Sequence, residues 1–237
     1  NLQRADMRWG GSESGTVPYP CWGTFPYPAI GAGESAKKEI ADNDFQLLKT
    51  GDPDGKYYMP AMSDAPLRGH GGHDWFWEPD RAHLIYPLDD LVEMYYNSVG
   101  HNTTLILGVT PGPNGLIPEE DVARLEEFGN EIKRRFAKPV AITDGTGSVT
   151  SLKLPQWQTI DQVVIMEDIR KGERVSAFLL EGKTRDGWEV IFNGSCIGHK
   201  FIHRFGEMEV DEVRLKVIAS RGAPAILNLS VFNLSDP

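Results

Sequence analysis

Glu13 is the first residue of this 237-residue chain whose setting suggests chemistry. It stands in RWGGSESG (Arg8 to Gly15), two residues after the Gly10-Gly11 pair and close to Arg8 and Trp9. An aromatic ring beside a carboxyl group strips away solvent, which favours the protonated form and suits the group to protonate a glycosidic oxygen. On the residues alone, Glu13 reads either as an exposed loop glutamate or as such a general acid. Arg8 reads either as half of a surface ion pair or as a group that orients the acid or a substrate hydroxyl. The second stretch is PAMSDAPLRGHGGHDWFW, Pro60 to Trp77, where Trp75, Phe76 and Trp77 follow a loop rich in glycine and histidine. Aromatic faces can cover the apolar side of a pyranose, and glycines let backbone approach a ligand closely. In extended backbone, three consecutive aromatics point to alternate faces, so one or two of them belong to packing. His70 and His73 have no companion ligands at zinc spacing, so no metal is expected; they read as donors to a polyol or as loop caps. Asp64 and Arg68, four residues apart, read as an ion pair. Only one of the two carboxylates that glycoside hydrolysis uses is evident.

The elements that must position these residues change character near Ala137 to Pro139. Before that point, Leu88 to Ser98 carries apolar residues at helical spacing, and Thr103 to Val109 is a short apolar run of buried-strand type. A long helix is expected over Glu119 to Phe136. Pro118 precedes it, acidic residues crowd its start, and Lys133, Arg134 and Arg135 its end. Helix, strand, loop, helix is the rhythm of an α/β barrel, but 1–138 is too short for a whole one and suits its last units. From 139 to 237, short β-rich runs are expected at Gln162 to Met166, Val175 to Leu180, Trp188 to Phe192, Lys200 to Phe205, Val213 to Ile218 and Ala225 to Phe232. Turn residues separate them, which predicts an antiparallel sandwich or jelly roll. Its carboxylates, such as Glu173 and Asp186, are expected at turns.

Composition narrows the partners. A net charge of −10 and a pI near 5.1 argue against nucleic acid, which calls for a basic face. No apolar run reaches the length of a membrane span. Cys21 and Cys196 lie far apart, and no disulfide is expected between them. The N-x-[ST] sequons at Asn102, Asn193, Asn228 and Asn233 fall in or beside expected strands, where a glycan is obstructed. No phosphate loop, dinucleotide fingerprint, G-x-S-x-G elbow or Cys-His nucleophile pattern occurs, so no cofactor is expected.

RWGGSESG resembles the R-W-x-G-N-E-x-G segment of the α-L-fucosidases of glycoside hydrolase family 29, with Ser12 where Asn is usual. SVGHNTTLILGVTPGPNGLIPEEDV (Ser98 to Val122) is similar to a segment near the end of that family's barrel. GERVSAFLLEG, DGWEVIFNGSCIGHKFIHRF and VRLKVIAS resemble its C-terminal sandwich. The resemblance implies the C-terminal part of a (β/α)8-type barrel followed by a discoidin-like, jelly-roll β-sandwich. It also implies retaining release of L-fucose from fucosylated oligosaccharides or glycoconjugates, in a periplasmic or extracellular setting. Glu13 matches the family's acid/base, while the W-x-D-G nucleophile motif is absent and is expected upstream of Asn1, in the partner portion of the same protein. By that resemblance Arg8, Trp9, Met62, Arg68, Trp75 and Phe76 are expected around the substrate. Phe76 is the first choice for the fucose methyl group and Trp75 the reserve. Met62 stands where relatives carry a glutamate in P-A-E-C-D, which implies looser aglycone selection. The alternative expectation is a non-catalytic carbohydrate-binding or structural sandwich module attached to an incomplete barrel.

Overall fold

The computed structural model describes residues 7–26 and 45–235. In chain order it forms β1 (Arg8–Trp9), β2 (Thr24–Phe25), α1 (Phe45–Thr50), β3 (Tyr57–Tyr58), β4 (Ala61–Pro66), α2 (Leu88–Tyr96), β5 (Thr104–Gly108) and α3 (Glu119–Phe136). Six further strands follow: β6 (Ala141–Thr146), β7 (Val149–Glu167), β8 (Val175–Thr184), β9 (Gly187–Gly194), β10 (Phe201–Ser220) and β11 (Ala225–Phe232).

Strands β1, β4 and β5 pair in parallel in the order β1-β4-β5. One face of this sheet is covered by helices, as parallel strands require. There Ala65 and Leu67 pack with Leu91 and Met94 of α2, joined by Leu105, Leu107, Leu125 and Phe128. On the opposite face Trp9, Met62 and Asp64 are half-buried and their strand neighbours Thr104 and Ile106 exposed. In a closed barrel that face is the interior. Helix α3 spans the residues expected for it, and its first turn does structural work: Arg68 Nε donates to Asp121 Oδ1 at 3.0 Å, both side chains buried.

The last six strands are antiparallel, in the order β6-β11-β7-β10-β8-β9. Strands β7 and β10 are 19 and 20 residues long, and their pairing shifts register between Arg204 and Met208 and again between Val210 and Glu212. Bulges bend a strand and increase its twist, so one hydrogen-bonded sheet can fold over itself. The result is a sandwich around a single core that includes Ile160, Ile165, Phe178, Leu180, Val213, Leu215 and Leu229. The two strands expected at Lys200 to Phe205 and Val213 to Ile218 are therefore one. Edge strand β6 and the first half of β7 were not expected.

A polar seam joins this sandwich to the segment after β1. Glu173, in the turn before β8, is 8% exposed, and both its oxygens accept from the Gly23 N–H at 2.9 Å. Asn102 also donates to Glu173 and to the Cys21 carbonyl (3.0 Å), while its own oxygen accepts from the His199 N–H (2.6 Å). Burial pushes the Glu173 carboxyl above its ordinary range, opposed by the Asn102 and Gly23 hydrogen bonds and by Arg8. Glu173 thus lies in a turn, as expected, and is buried there. Asn102, itself 5% exposed, has no room for a glycan. Cys21 and Cys196 are both buried free thiols; the Cys196 Sγ lies 3.5 Å from the Cys21 carbonyl oxygen.

Candidate active site

The loop that leaves β1 is tied to β4 by backbone hydrogen bonds: Gly10 N–H to Met62 O (2.7 Å) and Gly15 N–H to Asp64 O (2.8 Å). Gly15 adopts φ +69° with Met94 and Ala65 against its Cα, so conformation and space both call for glycine. Between these anchors the loop presents Glu13. The second loop, after β4, brings Trp75 over the C-terminal end of β5. Its ring lies so close that a Cβ on Gly108 would sit 2.5 Å from Trp75 Cζ3, and its carbonyl accepts from Thr110 Oγ1 at 3.0 Å. The Trp75 indole Nε1 donates to Glu13 Oε2 at 3.1 Å, and His73 Nε2 pairs with the same oxygen. The His73 and Trp75 rings meet edge to face at 90°, with centroids 5.8 Å apart.

Glu13, His73 and Trp75 therefore converge where β1, β4 and β5 end. The Glu13 side chain is 42% exposed. The His73 hydrogen bond, then that of Trp75, holds its carboxyl below the ordinary value, with desolvation opposing. This reverses the expected direction: the aromatic neighbour acts on the carboxylate as an N–H donor more than as a dry wall. Such a carboxylate can take a proton from water.

The remaining expected residues divide. Trp9 lies on the inner face beside Met62 and donates from Nε1 to Asp64 Oδ1 at 2.7 Å, so Asp64 pairs with Trp9 and not with Arg68. Arg8 is 3% exposed; its guanidinium donates to the carbonyls of Leu48 (2.9 Å) and Met59 (2.6 Å) and to Cys21 Sγ (3.3 Å). With its donors engaged inside the fold, Arg8 braces the start of β1 instead of meeting substrate. Arg68 is committed to Asp121 in the same way, and breaking such a buried pair costs about 3 to 5 kcal/mol. Met62 pairs with Trp9 and with Thr104, the first residue of β5. That row is four residues, about 13 Å, from the end of β5 where Trp75 sits, and it is the row on which β1 ends. Phe76 is 83% exposed, leaving Trp75, the reserve choice, as the aromatic at Glu13. His73 was expected only as a polyol donor or loop cap. Its link to Glu13 spans 60 positions and has no periodic signal in the sequence.

A family model described as Alpha-L-fucosidase matches residues 34–135. The chain is 28% identical over 264 residues to Alpha-L-fucosidase 1 of Arabidopsis thaliana, covering 96% of the chain and 49% of that protein. A solved structure described as a "putative alpha-L-fucosidase" from Bacteroides thetaiotaomicron is similar with TM-score 0.92 and 46% identity, over 98% of this chain and 53% of that one. A glycoside hydrolase 29 family member from an unknown rumen bacterium is similar with TM-score 0.81 and 28% identity, over 97% of this chain and 41% of that one. The chain thus spans about half the length of the curated relatives it matches. With three parallel strands of barrel type followed by an antiparallel sandwich, the chain is similar over nearly its whole length to the C-terminal part of α-L-fucosidases of glycoside hydrolase family 29.

Proposed function

We propose that this chain is the acid/base-bearing portion of a retaining, exo-acting α-L-fucosidase that releases L-fucose from fucosylated oligosaccharides or glycoconjugates. The observation that carries the reading is Glu13, held by Trp75 and His73 at the C-terminal ends of parallel strands. Enzymes of the barrel class do their chemistry at that end of the strands. In a retaining mechanism one carboxyl group attacks the anomeric carbon while the other protonates the leaving oxygen, then deprotonates the incoming water, with the two about 5 to 5.5 Å apart. Glu13 takes the second role. An aspartate from a preceding portion of the same protein takes the first, so the 237 residues alone lack a nucleophile. Trp75 supplies a sugar-facing ring beside the acid. Residues 1–138 carry the chemistry, and residues 139–237 support the barrel through the Glu173 and Asn102 seam. Periplasmic or extracellular placement follows from where such glycans occur.

The test is hydrolysis of an aryl α-L-fucoside by the full-length protein, with aryl galactoside and arabinoside as controls. Turnover of the fucoside well above both controls, and none by the 237-residue chain alone, is expected. Preference for either control would overturn the assignment.

A further inference from the structure

An ionised Glu13 cannot protonate a leaving oxygen, and the hydrogen bonds that meet it favour ionisation. The proton must then be kept close by, and one group is placed to keep it. His73 follows Gly71 and Gly72, and its Nε2 lies within hydrogen-bonding reach of both Glu13 Oε2 and Trp75 Nε1 (3.1 Å to the latter). Trp75 can only donate, so the ring nitrogen of His73 is the partner able to hold or release a proton at this carboxylate. Among the described residues, the charged side chains on this loop and the elements packed against it include His70, Asp74, Glu78, Asp80, Arg81 and His83, with Asp89, Asp90, Glu119 and Glu120 on the helices. His70 Nδ1 is 3.3 Å from Asp90 Oδ2 on α2, and Arg81 is 3.1 Å from Glu78 and 4.0 Å from Asp74.

We propose that His73 and Glu13 form a proton-sharing pair, with His73 a positioning residue that stores the proton Glu13 delivers. The inference rests on the fucosidase reading and adds to it a role for His73. In the first half-reaction the Nε2 proton moves to Glu13 Oε2, and the Glu13 carboxyl proton passes to the glycosidic oxygen. The C–O bond breaks with its electron pair on that oxygen as the nucleophilic carboxylate bonds to the anomeric carbon. His73 is left neutral and Glu13 ionised, a state the Trp75 N–H stabilises. In the second half-reaction water bonds to the anomeric carbon, the glycosyl ester bond breaks with its electrons returning to the nucleophile, and the water proton passes to Glu13 and back to His73. One proton leaves the pair and one returns.

Such a pair titrates as a unit, and the alkaline limb of kcat/KM reports loss of its shared proton. The experiment is the pH profile of kcat/KM on a fucoside with a poor leaving group, for the full-length protein, His73→Gln and Trp75→Phe. His73→Gln leaves the proton on Glu13 alone and should move the alkaline limb to lower pH by about one unit or more. Trp75→Phe removes a donor to the carboxylate and should move the limb the opposite way. An equal loss at every pH in His73→Gln, with the limb in place, would make His73 a packing residue and overturn the proposal. The proton NMR signal of the His73 ring N–H, compared with Glu13→Gln, needs no activity. A strongly downfield ring N–H signal is expected in the full-length protein and its loss in Glu13→Gln, and the same signal in both would overturn the pair even if the fucosidase reading stands. Absence of fucoside turnover with the downfield signal present and lost in Glu13→Gln would instead sink only the fucosidase reading.

Discussion

In the full-length protein, Glu13→Gln lowers kcat/KM on a fucosylated oligosaccharide by about 10²- to 10⁴-fold, the range general acid–base catalysis supplies. Glutamine keeps an oxygen for the Trp75 donor but carries no transferable proton, so the loss reads chemistry more than packing. The defect should depend on the leaving group. A good aryl leaving group departs without acid help, so its kcat/KM changes little, while its kcat falls because the fucosyl intermediate waits for an unassisted water. KM then falls with kcat, the signature of a slowed second step. Steady-state kinetics on both substrates check this, and equal losses of kcat/KM on the two would remove Glu13 from the acid role.

A second large effect is expected in the sandwich, from Glu167 at the end of β7. Its Oε1 accepts from the backbone N–H groups of Arg174 (2.6 Å) and Val175 (3.0 Å), and the residue is 1% exposed. Burial raises its pKa to about 7 from the ordinary 4.5, against the pull of those two hydrogen bonds. Because the folded-state value is the higher one, its stabilising contribution is present in full below the unfolded value and is lost as pH rises through about 7. The span between the two values corresponds to roughly 3 kcal/mol. Glu167→Gln keeps the acceptor oxygen and cannot ionise. Its stability relative to the unsubstituted protein should therefore rise by about that amount between pH 5 and pH 8. The difference between the two proteins is the proper readout, because His101, His199 and His203 have pKa values lowered by burial and act with the opposite sign in the same window. Urea unfolding at several pH values measures it, and a difference that does not vary with pH would contradict it.

Local periodicity made the barrel part legible. The apolar spacing of α2, the charge asymmetry and leading proline of α3, and the apolar run of β5 each state an element without help from tertiary contacts. The sandwich was legible as a class and less so in detail. Ala141–Thr146 alternates half-buried and exposed residues at a sheet edge and contains an Asp-Gly pair that suggests a turn. The polar stretch between Phe205 and Val213 suggests a break, yet bulged pairing carries β10 straight through it. At the site, Glu13 and Trp75 could be singled out because motif and residue type coincide, and the fold brings their side chains together. Arg8 and Arg68 were misread because charge alone suggests a ligand contact, and only the fold reveals that carbonyls, Cys21 and Asp121 already occupy their donors. The Glu13–His73 pair lay beyond reach, since nothing local encodes a contact between two loops.

The most direct test of a retaining fucosidase with Glu13 as its acid/base is the first anomer of fucose released from an aryl α-L-fucoside, followed by proton NMR from the start of the reaction with the full-length protein. Retention through a covalent intermediate predicts α-L-fucose first, with the β anomer appearing only as mutarotation proceeds. β-L-fucose as the first product would contradict the paired roles given to Glu13 and its upstream aspartate.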